Sequence, residues 1–364
     1  MDLNILYFDD EQTDLDRYGD LIEENSPSGY TLKVERMIGT ALIKNLNILD
    51  TKFPDLILVD FDYSNVDTND EVLGMNGVTL SNLLRQKFPH VPIVILTRLQ
   101  IEQRADFPHN EAILACIDDI KFKEDLIPTR NSNLIKYFIS IAVGYRKLRD
   151  KEPKNLTNLI ELISAPETSF DLLKMLYPIE QAKRKTWTGF EAATWIRKIL
   201  MNFPGILYNP IFSATYLGIS LDSFQTPEVQ TFFNSARYIG IFSEEKDLWW
   251  KTKIFEIASN SMEDPERKLP LRRGFIKYWN RTHSLQLVPS VCEFKGDSPA
   301  ETVCYLSKKP VLLKYSLHYY VDNRPEVMDE ARVSFKSIQS RDDVNFDLFD
   351  EIAKEIIKKQ KLKP

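Results

Sequence analysis

The first 150 residues alternate short apolar runs with longer stretches in which apolar residues recur every three or four positions. Four runs of strand length are almost wholly apolar, at residues 3–8, 55–60, 91–97 and 112–117, and residues 31–37 alternate weakly. Strands without a polar face are typical of a parallel sheet that is covered by helices on both sides. These five segments are therefore predicted to be strands.

The stretches between these runs have the spacing of amphipathic helices. The clearest are 40–53, 77–88 and 132–148, and apolar residues also share one helical face just after the first run. Strands and helices in this alternation predict an α/β fold with a doubly wound, five-stranded parallel sheet.

Polar residues follow the predicted strands at their carboxyl ends. Asp9 and Asp10 follow the first, Asp60 ends the third, Thr97 ends the fourth, and Lys123 comes shortly after the fifth. Such folds bind ligands at this edge of the sheet, so these residues are predicted to converge. Three carboxylates in one crevice favour a hard divalent cation such as Mg²⁺. A carboxylate there can also attack phosphorus, with the metal and Lys123 neutralising the phosphoryl oxygens.

Four segments in order along the chain carry a resemblance to a known family. ILYFDDE, DLILVDFD, GMNGVTLSNLLRQKFPHVPIVILT and DDIKFKEDL resemble the receiver domain of two-component response regulators over about residues 3–130. The resemblance implies the flavodoxin-like strand order 2-1-3-4-5. It also implies Mg²⁺-dependent phosphorylation of an aspartate by a histidine kinase, a phosphotransfer protein or a small phosphodonor.

The roles that this resemblance implies fall on six positions. Asp60 is the phosphoacceptor, Asp9, Asp10 and Asp60 hold Mg²⁺, Thr97 is the switch hydroxyl, and Lys123 contacts the phosphoryl group, with Lys121 as the alternative lysine. Lys123 is favoured because KEDL is expected to open the last helix of the domain. Helix capping is the alternative explanation for the acids. It would account for Asp10, but not for Asp9, Asp60 and Lys123 at the same edge.

Two features depart from the family pattern. The loop after Asp60 is longer than usual and carries four further acids, Asp62, Asp67, Asp70 and Glu71. Ile120 stands where the family usually has an aromatic residue that couples phosphorylation to a surface change. The loop is a candidate lid or partner surface, and the standard switch is in question.

The composition changes near residue 150. Residues 1–150 carry 25 acids and 16 bases, whereas the rest of the chain has a small excess of bases and all five tryptophans. We therefore predict a receiver domain at 1–130, its last helix and a helical linker at 131–180, and a separate helix-rich α+β effector domain at 181–364.

The second part contains no nucleotide-binding or hydrolase motif that would name its activity. We expect an output domain that binds protein, with no enzymatic activity beyond phosphorylation and dephosphorylation of the receiver aspartate. A cluster of Lys183, Arg184 and Lys185 beside Trp187 suggests DNA or RNA as an alternative partner. Further alternatives are a homodimer and a pseudo-receiver scaffold that is not phosphorylated.

Cysteine and histidine residues form one metal-like set in the second part. His283, Cys292, Cys304 and His318 could close a tetrahedral zinc site. Their spacing lacks the short C-x2–4-C pair of zinc motifs, and packing of buried cysteines is the favoured interpretation. Mg²⁺ at the receiver acids is thus the one cofactor expected.

Cysteine content and hydropathy bear on the compartment. Three cysteines in 364 residues suit a reducing environment. The N-terminus lacks a signal-peptide pattern, and no apolar stretch approaches the roughly 20 residues that span a bilayer. A cytoplasmic protein without membrane contact is expected.

Overall fold

A computed structural model describes residues 1–38, 53–61, 77–98, 116–127, 133–151, 156–177, 187–360 and 362. The chain forms two compact units. The first comprises Met1–Leu162, Glu180–Trp195 and Ile241–Glu245, and the second comprises Ile163–Ile179, Ile196–Gly240 and Lys246–Pro364. The domain boundaries predicted from the sequence stay predictions.

The first unit contains a five-stranded sheet and its helices. In chain order its strands and main helices are β1 (Asp2–Asp9), α1 (Gln12–Glu24), β2 (Thr31–Ile38), β3 (Leu56–Asp60), α2 (Gly77–Lys87), β4 (Ile93–Thr97), β5 (Asp119–Phe122), α3 (Asn133–Lys151) and α4 (Leu156–Leu162). All strand pairs are parallel, and the order across the sheet is β2-β1-β3-β4-β5. This is the flavodoxin-like order, so the predicted fold class is confirmed.

The central strands are the most deeply buried parts of this sheet. Every residue of β3 and β4 is buried, and Leu6 and Phe8 of β1 pack with residues of both strands into one apolar core. The unbroken apolar runs exist because helices cover both faces of these strands, leaving no side for polar residues. The register pairs Phe8 with Val59 and Asp60 with Leu96, which brings the strand ends to one edge.

The fifth strand differs from the sequence prediction. The strand that joins the sheet in the described chain is DIKF at Asp119–Phe122, just after the predicted run at 112–117. Of that run, Cys116 and Ile117 are described, and they are buried in the core just before the strand. The prediction missed β5 because it is an edge strand of half-buried residues, and such a strand does not form a continuous apolar run in the sequence.

The helix predicted at 132–148 is present, but the expectation that KEDL opens it is wrong. KEDL forms a separate single turn of 3₁₀ helix, Lys123–Leu126, and α3 begins at Asn133. The turn has its acids in its first residues, as helix starts do, so the sequence signal was real but local. Its effect is to fix Lys123 directly at the end of β5.

The second unit is built from short helices and two-stranded pairs. Its α-helices are α5 (Phe170–Leu176), α7 (Pro210–Leu217), α8 (Leu221–Phe224), α9 (Pro227–Phe232), α10 (Lys251–Ser261), α11 (Leu271–Thr282), α12 (Phe335–Ser340) and α13 (Glu351–Lys359). The helix between α5 and α7 in the chain, α6 (Gly189–Thr194), belongs to the first unit. Its strands are β6 (Leu207–Tyr208), β7 (Trp249–Trp250), β8 (Thr302–Val303), β9 (Pro310–Val311), β10 (Ser316–His318) and β11 (Arg332–Ser334). The antiparallel pairs are β6 with β7, β8 with β9, and β10 with β11. A helix-rich remainder was predicted, and this is confirmed.

Two apolar cores hold the second unit together. One is rich in aromatic rings, among them Phe224, Phe233, Phe275 and Trp279, and the other contains both cysteines of this unit. Across the described ranges, no helix is long and apolar enough to cross a bilayer.

Candidate functional site

Three aspartates predicted from the sequence meet at the carboxyl edge of the sheet. Asp9 is the last residue of β1, Asp10 follows it, and Asp60 is the last residue of β3. Each offers a carboxylate oxygen, and the three oxygens lie within 4.8 Å of one another. Within the described ranges this is the one group of three or more His, Cys, Asp or Glu side chains so arranged. Asp9 and Asp60 are buried, and Asp10 is partly exposed.

Lys123 lies among these acids, as the sequence predicted. Its Nζ is 2.6 Å from Oδ1 of Asp60, 2.8 Å from Oδ2 of Asp9 and 2.8 Å from Oδ2 of Asp14. Its side chain is only 2% exposed. The alternative, Lys121, instead pairs with Asp119 at 2.8 Å.

The protonation of Lys123 is set by two opposing effects. Burial alone would lower the pKa of this ammonium group. The charges of Asp60 and Asp9, together with hydrogen bonds to Asp14 and Asp60, outweigh burial and raise the pKa above its ordinary value. The lysine is therefore charged at neutral pH and compensates the buried acids.

Asp9 is held by two further donors that the sequence analysis did not identify. The Tyr7 hydroxyl donates to Oδ2 of Asp9 at 2.6 Å, and the Glu11 backbone N–H donates to Oδ1 at 3.0 Å. Burial, and then the negative charge of Asp9, raise the pKa of Tyr7, so the phenol keeps its proton. The signal was present, because residues two apart on a strand share a face.

Asp14 and Arg98 are the other site residues that sequence reasoning missed. Asp14 Oδ2 accepts from Lys123 and, at 2.9 Å, from Nη2 of Arg98. Arg98 also bonds Oε2 of Glu11 at 3.0 Å. Asp14 is in the first turn of α1, which begins two residues after Asp10. Only the parallel sheet, however, brings Arg98 beside it.

Thr97 is in the predicted place at the end of β4. Its side chain is fully buried, and its Oγ1 has no hydrogen-bond partner within the described part of the chain. Buried hydroxyl groups nearly always have a partner, so this one is poised to take a new one.

Gly77 fixes the position of the Asp60 backbone. Its N–H donates to the Phe61 carbonyl at 3.0 Å, so α2 begins against the end of β3. A Cβ at this position would collide with the carbonyl oxygen of Asp60. Only glycine allows this close approach.

The two departures from the family pattern have different outcomes. Ile120 is in β5, opposite Ile95, and packs partly buried against the apolar core. The four acids of the long loop, Asp62, Asp67, Asp70 and Glu71, lie outside the described residues.

The acidic site suits a hard divalent cation. Mg²⁺ takes oxygen ligands, usually one or two protein carboxylates with waters and phosphate oxygens completing the octahedron. Asp9, Asp10 and Asp60 present three carboxylates within one small space, two of them buried. The donor set therefore fits Mg²⁺.

The cysteine and histidine set does not assemble into a comparable site. Cys292 and Cys304 are buried in the same core, but the set forms no group of three potential metal ligands in the described chain. The His283 ring stacks on Trp279 with centroids 3.8 Å apart, and His318 lies 4.0 Å from Asp350. Each of the four residues therefore has a packing or pairing role.

Of the basic cluster that suggested a nucleic-acid partner, only the neighbouring Trp187 is among the described residues. Lys183, Arg184 and Lys185 lie outside the described residues. Trp187, in the first unit, is buried and packs edge-on against Trp195. A buried indole is not available to stack on a base.

Comparisons with known proteins give similar structures but no related sequence. No family model and no curated protein matches the chain. Among solved structures, NtrX from Brucella abortus matches at 14% identity and a TM-score of 0.31, covering 48% of this chain and 34% of that one. A response regulator receiver domain from Clostridium thermocellum matches at 18% identity and a TM-score of 0.29, covering 40% of this chain and 98% of that one.

A third similar structure is the response regulator TrrA from Thermotoga maritima, solved in complex with Mg²⁺-BeF. It matches at 18% identity and a TM-score of 0.24, covering 33% of this chain and 85% of that one. At these values the similarities carry no conclusion about activity, and the fold rests on the strand order itself. The first unit has a flavodoxin-like fold, with an acidic, lysine-containing site at the carboxyl edge of its sheet.

Proposed function

We propose that this protein is a response regulator that is phosphorylated on Asp60 in a Mg²⁺-dependent reaction. The observation that carries the proposal is the convergence of Asp9, Asp10, Asp60 and Lys123 at one edge of the sheet, with the Thr97 hydroxyl at the next strand end. The phosphodonor is a histidine kinase, a phosphotransfer protein or a small acyl phosphate. The reaction belongs in the cytoplasm, where such kinases present their phosphohistidine.

The chemistry is phosphoryl transfer to a carboxylate. A carboxylate oxygen of Asp60 forms a bond to phosphorus while the bond from phosphorus to the donor atom breaks, and the donor leaves with that electron pair. Mg²⁺ held by Asp9, Asp10 and Asp60 supplies positive charge at the phosphoryl oxygens. Burial strengthens these electrostatic interactions because little water screens them.

Lys123 is the cation that we expect to contact the phosphoryl group on Asp60. Its ammonium group already lies 2.6 Å from Asp60, so a phosphoryl group there would be within its reach. It has three donor hydrogens and three acids in contact. When Lys123 turns to a phosphoryl oxygen, Asp9 and Asp14 still anchor it.

Thr97 supplies the hydrogen bond that the product needs. Its unpartnered Oγ1 is on the strand next to Asp60 and can donate to a phosphoryl oxygen. Making that bond would draw the end of β4 towards Asp60. Arg98 is the next residue, so its ion pairs with Asp14 and Glu11 would be pulled at the same time. We propose that this is how the phosphorylated state is transmitted, since Ile120 replaces the usual aromatic.

The second unit is proposed to be the output, binding a protein partner. Large apolar side chains are exposed on it, including Ile239 at 72% and Ile352 at 74%. Exposed apolar groups favour protein contact over phosphate contact. Light scattering with and without beryllofluoride would show whether that partner is a second copy.

Acetyl phosphate and Mg²⁺ test the phosphorylation directly. Intact mass of the full chain is expected to show one added phosphoryl group, absent when Mg²⁺ is chelated and absent from Asp60→Asn. Asp16→Asn, an exposed acid on α1, is the matched control and should be modified like wild type. A wild type that stays unmodified, or an Asp60→Asn variant modified equally, would rule the proposal out.

A further inference from the structure

The second unit contains a polar cavity of about 280 Å³ that the proposed phosphorylation does not use. Its wall comes from α7, α10, α11, β8 and the segment around β11. The charged and polar lining residues are Tyr208, Thr215, Tyr216, Lys251, Arg272, Glu301, Thr302, Asp329, Glu330 and Arg332. So many ionisable groups around one cavity indicate a binding site more than a packing defect.

One side of the cavity is already neutral. Lys251 Nζ donates to Oδ1 of Asp329 at 2.9 Å, and the Tyr208 hydroxyl donates to the other carboxylate oxygen. Burial, and then the Asp329 charge, raise the pKa of Tyr208, so this phenol stays a donor. The lysine also lies over the rings of Tyr208 and Tyr216. This side has no charge left to satisfy.

Two further cations line the cavity, Arg332, which pairs with Glu330 at 3.4 Å, and Arg272. One of the Arg272 Nη atoms donates to the Glu301 backbone carbonyl at 2.9 Å, but Arg272 forms no ion pair with a described carboxylate. Its Nε is buried and has no hydrogen-bond partner within the described chain. A guanidinium edge with free N–H groups is suited to bind a carboxylate or a phosphate with two parallel hydrogen bonds.

Thr215 provides a second and independent sign of a ligand. The residue is 1% exposed, lines the same cavity, and its Oγ1 has no partner in the described chain. A buried hydroxyl and a buried guanidinium N–H without acceptors each cost free energy. Both residues line the cavity, so an acceptor group that enters it could become a partner for either donor.

The remaining lining is apolar and sets the kind of molecule. Phe212 forms part of the wall, and Leu313, which is 47% exposed, is at the opening. The volume is at the small end of ligand sites, which favours a small molecule.

We propose that this cavity binds a small organic anion, with its carboxylate or phosphate on Arg272 and Thr215 and its apolar body against Phe212 and Leu313. The inference does not depend on phosphorylation of Asp60. It gives the second unit a small-molecule input in addition to the signal from the receiver.

Calorimetric titration of the full chain tests the proposal with two named probes, benzoate and phenyl phosphate. They share an apolar ring and differ in the oxyanion, so the tighter binder tells which group the site prefers. At least one should bind wild type in a saturable way at a one-to-one ratio. Arg272→Gln should weaken that binding by about tenfold or more, because a hydrogen bond to a charged group is lost.

Two further variants make the result decisive. Arg273→Gln, an exposed neighbour that does not line the cavity, should bind like wild type. Thr215→Val keeps the shape and removes only the hydroxyl, so it should fold at least as stably as wild type. It should bind the probe about three- to tenfold more weakly. If Arg272→Gln unfolds, Thr215→Val decides alone. Failure of both probes on wild type, or unchanged binding in Thr215→Val, would overturn the proposal.

Discussion

Each unit of the protein contains a lysine bound to an aspartate, and the two environments are opposite. Lys123 contacts three carboxylates and is 2% exposed, whereas Lys251 contacts one and is 26% exposed. Around Lys123 the acids are in excess. In the second cavity Lys251 pairs with Asp329 and Arg332 pairs with Glu330, whereas Arg272 forms no ion pair with a described carboxylate. The first site therefore favours a metal cation and the second an anion. At each site, the favoured ligand has the charge opposite to the one that remains uncompensated near the lysine.

The largest expected effect separates the two lysines. Among the described residues, Lys123 is the one cation in contact with Asp9, Asp60 and Asp14 together. Lys123→Met removes it and leaves buried like charges, so we expect a loss of about 3–5 kcal/mol in unfolding free energy. Lys251→Met breaks a partly exposed pair, so the loss should be about 1 kcal/mol. Denaturant unfolding, with hydrogen exchange assigning the loss to each unit, measures both. Mg²⁺ should restore part of the stability of Lys123→Met only. Equal losses in the two variants would remove the distinction.

A second test changes the backbone beside one site and leaves the charges alone. Gly77→Ala places a Cβ against the Asp60 carbonyl, so β3 and α2 must move apart. We expect a loss of about 2 kcal/mol and a severe drop in phosphorylation by acetyl phosphate. Gly29→Ala is the control; its left-handed backbone costs about 1 kcal/mol, but nothing there obstructs a Cβ. Normal phosphorylation of Gly77→Ala would show that this close approach is not needed.

A third test uses pH. Burial acts to raise the pKa of Asp14, but the hydrogen bond and charge of Lys123, and then those of Arg98, lower it overall. A carboxyl group with a depressed folded-state pKa stabilises the fold above its unfolded pKa, near 4, and loses that contribution as the pH falls through the folded value. Asp14→Asn should therefore flatten the acid limb of the stability curve, measured by unfolding between pH 6 and pH 2. An unchanged limb would mean that Asp14 does not hold Lys123.

The smallest effect compares Thr97 and Thr215, two buried threonines whose hydroxyl groups have no partner in the described chain. Replacing either by Val removes an unsatisfied hydroxyl, so the unmodified protein should gain up to about 1 kcal/mol of stability. After treatment with acetyl phosphate, only Thr97→Val should differ from wild type in the lifetime of the phosphoprotein, measured by intact mass over time. A similar change in Thr215→Val would break the assignment of the two hydroxyls to different sites.

The sequence predicted the first unit well because its topology imposes simple rules. Parallel strands buried on both faces appear as apolar runs, and their carboxyl ends must share an edge, so Asp9, Asp60 and Thr97 could be placed together. Asp14 and Arg98 were not predicted as site residues, because their contact joins a helix face to a strand end 84 residues away. The fifth strand escaped because an edge strand has no apolar signature.

The second unit shows where this reasoning stops. The residues of its cavity come from short helices and two-residue strands, and no period in the sequence relates Thr215 to Arg272. Cysteine and histidine were the visible signal, and the structure gives them packing roles. A site formed by long-range packing can be found only once the fold is known.

Locating the phosphoryl group is the most direct test of the central claim. The full chain is treated with acetyl phosphate and Mg²⁺, the acyl phosphate is reduced with borohydride to homoserine, and the digest is mapped by mass spectrometry. We expect homoserine at position 60 alone, and none without Mg²⁺. Homoserine at another acid, such as Asp10 or Asp14, or none at all, would contradict it.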